Sequence, residues 1–188
     1  MRVQEVATGL WRWTGLHPEW KRSDDWDEEV GCVYYEAPDA VVLVDPLAPP
    51  EDEDRFWAAL DRDVERAAKS VRILLTVSWH ARSAEAVAER YGAATDGSLP
   101  AGVEAHAVTA GEETAYRLPA HGALVFGDAV LGSGGGVRLC PESWLDGTLA
   151  QLKEELRPLL DLPVERLLVS HGEPVLRDGR AALARALA

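Results

Sequence analysis

Two cysteines, Cys32 and Cys140, are too few for a disulfide framework or a Cys-rich zinc module, and in a reducing interior both stay thiols. No apolar run approaches the roughly 20 residues of a membrane span, and Met1 to Gly15 contain no uninterrupted apolar core of signal-peptide length. Basic side chains are also scarce, 19 against 32 acidic, for a formal net charge of -13. Such a field repels phosphate backbones and anionic lipid surfaces, which argues against nucleic acid and membranes as partners. A soluble, cytoplasmic protein is expected. The chain has no internal repeat, low-complexity tract or linker, and with 188 residues, 47% of them hydrophobic, it is long enough to close a core as one domain, 1–188.

What is present is an alternation of strands and helices. Val3 to Val6 and Leu10 to Thr14 read as a hairpin around Gly9, and His17 to Glu29 as a polar, Trp-bearing loop. Cys32 to Glu36 and Val41 to Asp45 form a second pair of strands. Pro49, Pro50 and an acidic first turn then open a helix with Phe56, Trp57, Leu60, Val64 and Ala67 at helical spacing. Ser83 is placed to cap a helix that ends near Gly92. Val103 to Val108, Thr114 to Leu118 and Ala123 to Phe126 suggest a meander, followed by a flexible loop at Gly132 to Gly136. That loop lacks the Lys-Ser/Thr ending of a phosphate loop. A third helix through Leu149, Leu152, Leu156 and Leu159, a strand at Arg166 to Val169 and a terminal helix from Leu176 to Leu187 complete the pattern. It implies a sheet-on-sheet core with helices outside.

Three apolar runs end in polar residues. Ile73 to Val77 enters the turn Ser78-Trp79-His80-Ala81-Arg82 and a helix; Val125-Phe126-Gly127 ends at Asp128; and Leu168-Val169-Ser170 ends at His171-Gly172-Glu173-Pro174. Together with Val42-Leu43-Val44-Asp45-Pro46, these four motifs in order resemble the metallo-β-lactamase-fold superfamily. The resemblance implies an α+β architecture, an αββα sandwich of two mixed β-sheets flanked by helices, with the site at one edge of the sheets. In that family the turn reads H-x-H-x-D-H, and two metals are held there. Laid on this pattern, Val77, Trp79, Ala81 and Arg82 occupy the ligand positions, and none coordinates zinc. Glu112 falls near the place of a third histidine. Asp128 and His171 match the family's bridging carboxylate and last imidazole, and Asp45 supports the site from behind.

Arg82 bears on the absence, because a guanidinium stays charged and opposes a divalent ion. Its pairing with Asp128 would fill the vacated place; the alternative is an arginine in solvent at the start of a helix. Glu112 reads as a solvated turn residue, and His106 and His121 as structural. His80 lies one residue out of register with the nearest ligand position. A turn histidine is ordinarily exposed, although a bulge would swing it inward. His17 lies on the Trp-bearing loop, which either lines an apolar pocket for a small-molecule ligand or forms a homodimer contact.

Three function classes follow. The first is a non-catalytic binding or scaffold protein with no cofactor, in which Arg82, Glu112, Asp128 and His171 mark a vestigial site. The second is a hydrolase of ester, thioester or lactone substrates, with zinc or another divalent metal in a rebuilt mononuclear site drawn from His17, His80, Asp128 and His171. The third is a metal-independent enzyme with His171 as base beside Asp128.

Overall fold

In the computed structural model, which describes residues 1–188, the chain forms two compact units, Met1–Ala101 and Gly102–Ala188. The first is built on a five-stranded sheet in sequential order. Strands β1 (Arg2–Ala7), β2 (Leu10–Leu16), β3 (Glu29–Glu36) and β4 (Ala40–Val44) pair antiparallel, and β5 (Ser70–Leu74) joins β4 in parallel. A parallel neighbour needs a crossover, and helix α1 (Glu53–Ala67) supplies it. Every residue of β4 is buried, as its unbroken apolar run Ala-Val-Val-Leu-Val requires.

Helix α1 places Phe56 and Leu60 on the sheet and ends where Ala68 turns left-handed. Helix α2 (Ala84–Tyr91) adds Ala84 and Val87 to the same cluster, beside Trp13, Cys32, Leu43 and Ile73. Both helices therefore cover one face. The Ser83 hydroxyl does not cap α2 as its position suggests; it accepts the Ala48 N–H at 2.9 Å and ties the turn to the segment after β4.

In the second unit, β6 (Glu104–Val108), β7 (Glu113–Leu118) and β8 (Ala123–Phe126) form the expected meander, and β11 (Arg166–Val169) lies parallel to β8 at the edge. Helices α3 (Leu149–Leu156) and α4 (Gly179–Leu187) contribute Leu152, Leu156, Ala182 and Leu183 to the core around Leu124, Phe126 and Leu167. Thr148 caps α3, its hydroxyl accepting the Gln151 N–H.

The segment read as a flexible loop at Gly132 to Gly136 is instead a ribbon of β9 (Val130–Ser133) and β10 (Gly136–Leu139). Gly134 and Gly135, both with positive φ, form its two-residue turn, so the glycines specify a hairpin rather than mobility. The terminal helix begins at Gly179, later than the Leu176 expected, because Asp178 is left-handed and sets the boundary. The result is the α+β class the sequence implies, with two mixed sheets and four helices. No helix is long and apolar enough to cross a membrane.

Candidate functional site

In the first unit the chemistry collects where β4 and β5 end side by side. Asp45 follows β4 in a left-handed conformation (φ 50°) and is buried. Its carboxylate accepts the Thr76 N–H at 2.8 Å and the Thr76 hydroxyl at 2.5 Å, and Oδ2 lies 3.0 Å from His80 Nδ1. Thr76 Oγ1 is also 3.2 Å from that nitrogen.

His80 is only 5% exposed, which corrects the expectation of a solvated turn histidine. The cause is the local helix type. Residues Ser78–Ala81 form a 3₁₀ turn entered from an extended Val77, so the strand alternation stops there, and His80 is buried while Trp79 is 52% exposed. An extended H-x-H alternation would have had the opposite phase.

Arg82 closes the turn with φ 41° and ψ −109°, a strained conformation for a residue with a Cβ. Its guanidinium is half-buried and donates through Nη1 to Asp45 O at 3.1 Å and Gly31 O at 3.2 Å, with Cys32 Sγ at 3.5 Å. Burial pushes the Cys32 thiol pKa up, partly offset by the Arg82 charge. His17 stands edge-on to Trp26 at 5.2 Å and accepts the Glu19 N–H through Nδ1.

In the second unit, Asp128 and His171 follow the adjacent parallel strands β8 and β11. His171 Nε2 is 3.2 Å from Asp128 Oδ1, and His171 is 7% exposed. The His171 carbonyl accepts the Gly132 N–H at 2.9 Å. This close approach of β9 requires glycine twice: a Cβ at Gly132 would lie 2.3 Å from Glu173 O, and one at Gly172, already at φ 81°, would lie 2.6 Å from Gly132 O. Trp144 stands edge-on to the His171 ring at 6.1 Å.

Glu112 is exposed in a left-handed turn, whereas its neighbour Glu113, which no sequence motif marks, is buried. Glu113 Oε1 accepts the Gly127 N–H at 2.9 Å, and Oε2 accepts those of Asp128 and Ala129, each at 2.7 Å. It thereby holds the turn that carries Asp128. Burial raises its pKa from the ordinary 4.5 to about 7, with the Asp128 charge adding to the shift and the three N–H donors opposing it. The available signal was phase: Glu113 shares the buried side of β7 with Ala115. His106 lies on β6 with Glu104 3.9 Å away, and partial burial together with Arg166 lowers the pKa of His121.

No protein-family model and no curated relative matches this chain. Solved structures do. A metallo-β-lactamase from Pseudomonas aeruginosa in its mono-zinc form aligns over 99% of this chain and 94% of its own, with a TM-score of 0.65 at 16% identity. One from Erythrobacter litoralis covers 98% and 89%, with a TM-score of 0.63 at 17% identity. A third, from Pontibacter korlensis, covers 99% and 96%, with a TM-score of 0.59 at 14% identity. The fold of this chain is that of the metallo-β-lactamases, as its four motifs implied.

Proposed function

We propose that this chain is a metal-dependent hydrolase of an ester, thioester or lactone, with His80 in the first unit and Asp128 and His171 in the second as candidate ligands of one divalent transition metal. The observation that carries this reading is the buried His80, with Nδ1 facing the Asp45 carboxylate. A carboxylate behind an imidazole fixes its tautomer and ring plane and raises the basicity of the far nitrogen, the usual support of a metal-binding histidine. On this reading Asp45 would support from behind a histidine one place removed from the family's own.

The donor set fits a single ion. Two imidazoles and a carboxylate each offer one ligand atom, a combination zinc, iron and manganese accept. It does not fit two, because Val77, Trp79 and Ala81 have no donor atom and Arg82 is a cation. A metal held by these residues would supply Lewis-acid polarisation of a substrate carbonyl. The chain's own contribution is orientation: Asp45 and Thr76 fix His80, Glu113 fixes the Asp128 turn, and Gly132 fixes the His171 loop.

Metal analysis of protein purified without chelator tests the reading. About one equivalent is expected, reduced in His80→Ala, Asp128→Asn and His171→Ala. Less than about 0.1 equivalent, both as purified and after dialysis against zinc, would overturn it. That result would favour the non-catalytic reading, a binding or scaffold protein in which the Arg82 cation opposes a divalent ion. The half-buried, strained Arg82 is the observation behind that alternative. Activity that persists with chelator would point to His171 as a metal-independent base.

A further inference from the structure

Away from these residues, the first unit contains a cavity of about 530 Å³ between α1 and the first strands of the sheet. Its wall follows from register. Val3 pairs with Trp13 across β1 and β2, Trp11 pairs with Tyr34 across β2 and β3, and Trp11 and Trp13 lie two apart on one strand, so all four project from the same face. Trp13 is fixed by its indole N–H to Leu47 O at 2.9 Å and packs on Phe56 at 5.6 Å, closing one end. Trp11 and Tyr34 meet edge to face at 5.4 Å.

The space is open because of what α1 offers opposite. Phe56 and Leu60 fill one side of the helix–sheet contact, but the other side carries Ala58 and Ala59, too short to reach the aromatic wall. Cores ordinarily leave no void of this size, whereas small-molecule pockets run from about 300 to 1,000 Å³. Val3 remains 52% exposed at the open end.

The mouth carries two arginines and one carboxylate, Asp63, which also lines the cavity. Arg55 and Arg62 stand two turns apart on α1 and line the cavity with side chains 64% and 71% exposed. Their carboxylate contacts are long, 3.8 Å to Asp52 and 4.0 Å to Asp63, and Asp63 is shared with Arg66 at 3.6 Å. Two guanidiniums against one lining carboxylate, above an aromatic floor, leave a local surplus of positive charge on a chain whose net charge is -13.

The geometry points to a second binding site, independent of any metal, for a small aromatic monoanion whose ring lies against Trp11 and Tyr34 and whose anionic group meets Arg55 and Arg62. Stacking and area burial would supply the affinity, and the guanidinium contacts the selectivity for charge.

Calorimetric titration of the full chain with naphthalene-2-carboxylate tests this, with the neutral naphthalene-2-carboxamide as comparison. Saturable one-to-one binding of the carboxylate is expected. The surface variant Arg55→Gln/Arg62→Gln should weaken it about tenfold and leave the amide unchanged. Ala59→Trp, which fills the void, should abolish both without lowering the melting temperature. No saturable binding of either compound below a few millimolar would overturn the site. Equal binding of acid and amide, insensitive to the arginine pair, would overturn the ligand class. Because the arginine variant alters only exposed side chains, the test stands even if Ala59→Trp fails to fold.

Discussion

His80 Nδ1 lies 3.0 Å from Asp45 Oδ2, although the two residues are 35 positions apart and both are buried. The contact couples the ends of two parallel strands and orients the ring. Asp45→Ala would remove the carboxylate that accepts the Thr76 N–H and hydroxyl and faces His80 Nδ1. A loss of about 2 to 4 kcal/mol in urea unfolding is expected, since each buried orphaned group costs about 1 to 3 kcal/mol. A loss below about 0.5 kcal/mol, typical of an ordinary surface change, would show that the network does not hold.

Arg82 separates backbone strain from side-chain contact. Arg82→Ala removes the donations to Gly31 O and Asp45 O but keeps a Cβ at φ 41°. Arg82→Gly removes the same contacts and relieves the strain. The glycine variant should therefore be about 1 kcal/mol more stable than the alanine variant by denaturant midpoint, and equal midpoints would mean the turn relaxes in both.

Glu113 makes stability depend on pH. Burial raises its folded-state pKa to about 7 from an ordinary 4.5, so folding favours the protonated form. Its contribution is fully present below about pH 4.5 and is lost as pH rises toward about 7, on the order of 3 kcal/mol at about 1.4 kcal/mol per unit. Urea unfolding of chelator-treated protein at pH 5 and pH 8 should show the decline. Glu113→Gln should flatten it while lowering stability at both pH values, because an amide N–H₂ faces backbone donors. A parallel decline in the variant would assign the effect to other groups.

Gly132 sets the spacing of β9 from the His171 loop. Gly132→Ala places a Cβ 2.3 Å from Glu173 O, a clash with backbone that only movement of the loop relieves. A loss of about 2 kcal/mol or more and a shifted His171 ring resonance are expected. An unchanged His171 resonance would show that β9 does not position the ring.

The sequence by itself determined most of the elements. Unbroken apolar runs marked the strands, the spacing of Phe56, Leu60 and Val64 marked α1, and four ordered motifs marked the fold, because these signals depend on local period and turn chemistry alone. It also showed that Val77, Trp79, Ala81 and Arg82, which offer no ligand atom, stand where the resemblance places the H-x-H-x-D-H motif. The direction of His80 was not legible, since the switch from a strand period to a 3₁₀ turn is settled by Asp45 and Thr76. The role of Glu113 was equally hidden, because its three N–H partners lie 14 to 16 residues away. The ribbon at Gly132 is not legible as strand, because Gly132 answers to a close contact with Gly172 and Glu173 that no local pattern records. Long-range hydrogen bonds and close approaches are made only when distant segments meet, and for that reason the tertiary structure alone decided which way these side chains face.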